Sequence, residues 1–275
     1  MATGHVDSDQ RHARARLRGH RGGAILPHRS IWSLHLPLQR LATGGLIALG
    51  FTGLLAWAQP LVASFWGWQV LAWLQALQLA GPPAAPDFEG HGLFTLPVPQ
   101  LEILLPDIGP EQLAAHALAC MAVWVAAGWL PDSGKPGCYV LRFGVLIHAA
   151  AVGYFALWPG SFSHSLASHV GGGLRQSWML MLLTPWLHLA TYYLFPFALW
   201  QRLALTALTL AWLVLVAPLQ YSAHAALLVL VGPVLMPLLH LLFGVMVPIL
   251  GLVSWYGWGM SWHDPGPQRG AADAR

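Results

Sequence analysis

The stretch LALTALTLAWLVLVAPLQYSAHAALLVLVGPVLMPLLHLLFGVMVPILGLVSWYGWGMSWH, residues 203–263, runs for 61 residues without an Asp, Glu, Lys or Arg. A charge at the centre of a bilayer costs about 2.5–3.5 kcal/mol on insertion scales, and one helical span needs about 20 apolar residues. The run is therefore long enough for two or three spans, with prolines at 218, 233, 237 and 248 as candidate breaks. Four further charge-free runs precede it: 41–86, 112–131, 143–174 and 176–201. Across all 275 residues, 56% are hydrophobic and only 8% are charged, and the mean hydropathy is +0.57. Soluble domains carry about 25% charged residues to cover their cores. A soluble enzyme, a disordered chain, a coiled coil and a disulfide scaffold are excluded. The expected fold class is all-α: a polytopic transmembrane helix bundle of six or seven spans.

Working outward from these runs gives three regions. Residues 1–40 hold seven of the 13 basic residues and five of the 14 histidines, and they read as a disordered or membrane-surface arm. Basic residues beside a first span stay on the cytoplasmic side and attract anionic lipids, which leaves little call for a nucleic-acid role. Residues 41–263 form the transmembrane helical domain, and 264–275 a polar tail. The run 41–58 ends in Ala56-Trp57-Ala58, a pattern compatible with signal cleavage, but the apolar run continues past it and an uncleaved anchor is expected. A break is expected at Gln59-Pro60. Beyond it, 61–80 either spans or lies on the surface, with Trp66, Val70, Trp73 and Leu77 on one face. Segment 81–111 carries five acidic residues and no basic one, so it is placed outside. Lys135, Arg142 and Arg202 then fall inside, and only Arg175 departs from the positive-inside pattern. The last run is expected to turn at 220–224, and its Trp255, Tyr256, Trp258 and Trp262 resemble an interfacial aromatic belt. This topology fits a bacterial inner membrane with a cytoplasmic N-terminus.

Histidine is the residue type with chemical promise. His148, His188 and His240 lie inside expected spans, and intramembrane ionisable groups usually face the bundle interior. Imidazole is a common ligand for metals and haem, so these three are candidate cofactor ligands. Tyr192 joins His188 on one face at i+4, with Thr184 and Thr191 beside them. The competing reading is hydrogen-bonding glue between helices. His116 and Cys120 also share a face at i, i+4, a pairing suited to a soft metal; Cys120 and Cys138 form no CxxC motif and are not expected to pair. A second set lies in expected outer loops: Asp87, Glu89 and His91, which alternate along an extended segment, then His164 and His169, then His224. Together they make a candidate site for copper, zinc or iron. Gly171-Gly172-Gly173 is expected to be a flexible hinge. No GxSxG, SxxK, HExxH or GxxxxGK[ST] motif occurs, and no carboxylate pair sits in a span.

These features lead first to a redox subunit linked to haem b, quinone or metal through intramembrane histidines. A non-catalytic assembly, anchor or metal-handling protein working with other membrane subunits is the alternative, and a transporter of small solutes or lipid-linked substrates is the third. A reduced-minus-oxidised visible spectrum of the purified protein tests the first. Ligation of haem by His148, His188 or His240 predicts a Soret and α-band pair that vanishes when the ligand is replaced. A flat spectrum after expression with haem available removes that reading.

Overall fold

The computed structural model describes residues 38–79, 92–98, 101, 103–194 and 197–262. The chain divides into Met1–Ala42 and Thr43–Arg275, and the second unit holds the bundle. Most of the basic arm, together with Asp87, Glu89, His91 and the polar tail, lies outside the described residues. Those described are helical apart from short connections and one irregular segment. The helices are α1 (Leu38–Ala76), α2 (Pro110–Ala127), α3 (Lys135–Leu157), α4 (Leu166–Leu194) and α5 (Leu199–Val231), followed by a composite helix that ends in α6 (Met246–Ser261). Four helical stretches are long and apolar enough to cross a membrane: Leu38–Ala76, Asp132–Leu157, Leu199–Val231 and Pro233–Ser261. The chain is a membrane protein on that ground. The expected count of six or seven is not reached by length and hydropathy alone, because polar residues dilute the other two helices: Glu111, Gln112 and His116 in α2, and His169, Arg175, Gln176 and His188 in α4.

Contacts between ends show how the helices alternate. Gly44 of α1 abuts Leu189 near the end of α4, and Gln201 at the start of α5 donates to the Trp262 carbonyl. At the opposite end, Val98 packs on Gly171 of α4 and Ile108 on Gly232.

Three expected breaks fall elsewhere. Helix α1 runs unbroken through Gln59-Pro60. Its buried face is Val62, Ala63, Trp66, Val70 and Leu74, while Trp73 and Leu77 point outward. At 39 residues and about 1.5 Å each, α1 is about 58 Å long, longer than a hydrocarbon core of about 30 Å. The turn expected at 220–224 is absent, and α5 continues to Val231. The chain turns at Gly232, whose φ of +114° an L side chain adopts only with strain, directly before Pro233, which restricts its predecessor further. The glycine triplet is no hinge: 171–173 are helical. Gly173 is a packing notch, since a Cβ there would meet the Tyr221 ring at 1.9 Å.

Proline inside a helix leaves the carbonyl four residues earlier without its N–H donor, and at Pro218 another group replaces that donor. Pro218 has no N–H for the carbonyl of Val214, four residues earlier. The indole Nε1–H of Trp66, a fully buried side chain, donates to that carbonyl at 2.8 Å. The irregular segment at 92–98 is treated in the same way. Leu96 and Val98 are buried, and its carbonyls need partners inside the bundle. Gln59 Nε2 donates to the carbonyls of Gly92, at 3.0 Å, and Thr95, and Trp178 Nε1 donates to Leu93 at 2.8 Å. This segment, expected as a solvated outer loop, is in part a strap packed into the bundle.

Replacing Trp66 by Phe keeps most of the buried area and strands the Val214 carbonyl, a loss of about 1–3 kcal/mol. Adding Pro218→Ala restores a backbone N–H and should recover most of it. Detergent-phase unfolding of the two single variants and the double variant measures the coupling.

Candidate functional site

Histidines gather at three places, and their grouping differs from the sequence expectation. The largest group lies where α4, α5 and the composite helix meet. His169 is on the first turn of α4 and His224 is on α5, both buried. His169 Nε2 and His224 Nδ1 are 3.3 Å apart and share a hydrogen bond. The His240 ring stands at 66° to that of His169, with centroids 6.1 Å apart. Tyr221, one turn before His224, stacks edge-on against it at 5.1 Å and against His169 at 6.1 Å. A cavity of about 340 Å³ opens beside these rings, lined by His164, His169 and His240 with Phe162, Met236 and Pro237.

Local sequence explains this convergence. Pro233 starts the composite helix and Pro237 and Pro248 interrupt its hydrogen bonding, and between them Leu239–Val245 adopts a π-helical turn. Such wide turns re-aim side chains and recur at functional sites. His240 is the second residue of this one and is exposed to the cavity. The Phe243 carbonyl inside the turn accepts from the Met246 N–H and from Gln220 Nε2 of α5 at 3.0 Å. A turn at 220–224 would carry His240 toward the membrane face opposite His164 and His169. The turn at Gly232–Pro233, rather than at 220–224, puts it at their end of the bundle. His169 and His224 are helical residues rather than loop residues. His164 alone of that set sits in a connection, exposed, with its ring over Phe162 at 5.3 Å.

The second group joins α2 and α3. His116 Nδ1 and His148 Nε2 are 3.0 Å apart, with rings edge to face at 5.0 Å. Cys120 is buried one turn along α2, and both cysteines are free thiols.

The third group is built on His188, which is 1% exposed. Its Nδ1 lies 3.1 Å from Thr206 Oγ1 and 3.2 Å from the Tyr192 hydroxyl. Thr206 and Tyr192 oxygens are 2.8 Å apart, and Tyr192 donates to the Arg202 carbonyl at 2.8 Å. All protons are used when His188 Nδ1–H donates to Thr206, Thr206 to Tyr192, and Tyr192 to Arg202. That tautomer leaves the Nε2 lone pair buried and without a hydrogen-bond partner. Of the polar neighbours expected for His188, Tyr192 takes part, while Thr184 and Thr191 bond the backbone carbonyls of Leu180 and His188.

The three candidate cofactor histidines are thus separated: His148 pairs with His116, His188 with Thr206 and Tyr192, and His240 with His169. Among the described residues no group of three or more His, Cys, Asp or Glu side chains is set out as a preformed metal site. Sequence reasoning missed Tyr221 and Thr206. Their signal was the spacing Thr206, Thr209, Leu213, Ala217, Tyr221, His224, Leu228, which is the buried stripe of α5. Comparison with protein families, with curated proteins and with solved structures gives no match.

Thr206→Val and Tyr192→Phe each remove part of the His188 relay. Each should destabilise the bundle by about 1–3 kcal/mol, and the pair should fall short of additivity by about 0.5–3 kcal/mol, read from unfolding midpoints of the two single variants and the double variant.

Proposed function

We propose that this membrane protein handles a borderline-soft metal ion, copper or zinc, at the His169–His224–His240 cluster. The carrying observation is the 3.3 Å separation of His169 Nε2 and His224 Nδ1. Two nitrogens bound at about 2.0–2.1 Å to one tetrahedral ion stand about 3.3–3.4 Å apart, so the spacing of the pair matches that of two ligands on one ion. His240 supplies the third ligand by turning its exposed ring toward the pair from the wide helical turn. An all-imidazole set without carboxylates suits copper and zinc better than hard cations. His164, on the rim of the same cavity, extends the ligand supply outward.

By the distribution of basic residues, all six helices cross a bacterial inner membrane, with the N-terminal arm on anionic lipids of the cytoplasmic face. The cavity then opens on the extracytoplasmic side. That arrangement fits a protein that collects an ion there, alone or with other membrane subunits.

Haem is the second reading, and the His188 geometry favours it: a relay that holds Nδ1–H and leaves Nε2 free is how ligating histidines are commonly oriented. The two histidine–histidine pairs support it less, since their rings are in direct contact and leave no room for a porphyrin between them.

Titration of the purified, metal-free protein with Zn(II), and with Cu(I) under reducing conditions, should load one ion per chain. His169→Ala, His224→Ala and His240→Ala should each weaken binding by tenfold or more, while His116→Ala leaves it unchanged. Equal affinity in the wild type and all three cluster variants would overturn the reading.

A further inference from the structure

Arg175, the basic residue that departs from the positive-inside pattern, is an exposed residue of α4. Among the described residues no carboxylate pairs with it; the ion pair there joins Lys135 to Asp132. Its depth shows what it can reach. Helix α4 has 29 residues. At about 1.5 Å each it is about 43 Å long, so it overshoots a hydrocarbon layer of about 30 Å by about 6–7 Å at each end. Arg175 is about 14 Å from its start, and its Cα is therefore about 7 Å inside the hydrocarbon. Helical side chains point back toward the helix N-terminus, here toward the nearer membrane face. The long Arg175 side chain thus snorkels to the level of the lipid phosphates.

Below it the bundle carries an apolar groove of about 580 Å³ between α4 and the composite helix, which Leu93 and Phe94 of the strap also line. Met179 and Leu182, four and seven residues beyond Arg175, line the groove, so Arg175 stands over it on the same helix face. Met179, Leu183, Trp186 and Ile249 of its lining are exposed on the outer surface of the bundle, and the groove opens to the hydrocarbon layer. Along its length the polar hydroxyls are already used: Thr52 donates to the Ala48 carbonyl and Ser177 to that of Gly173. The exposed Gln176 amide lines its Arg175 end. Cationic and amide donors thus stand at one end of an otherwise apolar channel.

A matching ligand is anionic at one end and apolar along its length. We propose that Arg175 and this groove hold one anionic glycerophospholipid. Its phosphate accepts from the Arg175 guanidinium, in charge-assisted hydrogen bonds, and from the Gln176 amide, and one acyl chain lies along Met179, Leu182 and Leu183. The site belongs to the leaflet on the His169 side. The basic N-terminal arm serves the other leaflet, because α1 begins beside the far end of α4, where Gly44 abuts Leu189. Lipid binding here needs no metal at the histidine cluster.

The test uses the full, metal-free chain in nanodiscs doped with a lipid carrying a photoreactive acyl chain, either phosphatidylglycerol or phosphatidylcholine. Crosslinked peptides are mapped by mass spectrometry. Phosphatidylglycerol should label 176–186 and 244–249 about fivefold more than phosphatidylcholine. Arg175→Gln should bring the two lipids level with the unfolding midpoint kept. Leu183→Trp, which fills the groove from its exposed rim, should lower labelling by both. Equal labelling in the wild type, or a preference that persists in Arg175→Gln, overturns the proposal and leaves ordinary annular lipid. A preference seen only after Asp87→Asn and Glu89→Gln would give Arg175 a carboxylate of its own chain and also overturn it. A dimer in native mass spectrometry with the groove unlabelled would assign the groove to a second copy instead. None of these results depends on the outcome of metal titration.

Discussion

The constraint on which the structure depends is that every backbone carbonyl released inside an apolar bundle must find a donor there. Water is scarce in such surroundings, and an unmet carbonyl costs free energy comparable to a lost hydrogen bond. Proline releases carbonyls, and α1, α4, α5 and the composite helix all contain it. At Val214 the missing partner is supplied from a neighbouring helix by Trp66, and the Phe243 carbonyl, which accepts from the Met246 N–H, takes a second donor from Gln220 of α5. The non-helical strap at 92–98 exists on the same terms, held by Gln59 and Trp178. These few long-reaching donors tie α1 to α5, α5 to the composite helix, and the strap to α1 and α4. They therefore specify which helices are neighbours, which unspecific apolar packing does less well.

The histidine cluster is a consequence of that bonding. A regular α-helix through 233–261 would place His240 on a face set by its 3.6-residue repeat. The π turn shifts that face, and Gln220 anchors the turn to the same stretch of α5 that carries Tyr221 and His224. Gly173 lets the Tyr221 ring lie against α4 beside His169.

Much of the fold was legible before any coordinates. Charge-free runs overlap every long helix, because Arg, Lys, Asp and Glu are costly in hydrocarbon, but they misplace the ends: Arg142 and Arg175, read as boundaries, lie inside α3 and α4. Prolines misled. Gln59-Pro60 and the region after Pro218 looked like breaks because a lone chain has no substitute donor; Trp66, 152 positions before Pro218 in the chain, is invisible to local reasoning. The glycine triplet misled in the opposite direction. Gly-rich sequence reads as flexible, and only the Tyr221 ring pressed against Gly173 makes it a close-packed contact.

At the candidate site, residue identity was readable and grouping was not. His148, His188 and His240 stood out because imidazole is rare and costly among apolar side chains, and His164, His169 and His224 stood out as ligand-type residues near expected loops. The chain alone determined that this is an all-helical membrane protein, that its intramembrane polarity is concentrated in histidine, and that carboxylates are kept out of the spans. Only the tertiary structure decided that His240 joins His169 and His224, that His148 turns to His116, and that His188 is held by Thr206 and Tyr192. The physical reason is that composition and charge act through transfer from water to lipid, which each segment undergoes by itself. Which imidazole meets which depends on helix length, the turn at Gly232 and hydrogen bonds between distant segments, and these exist only once the helices have packed.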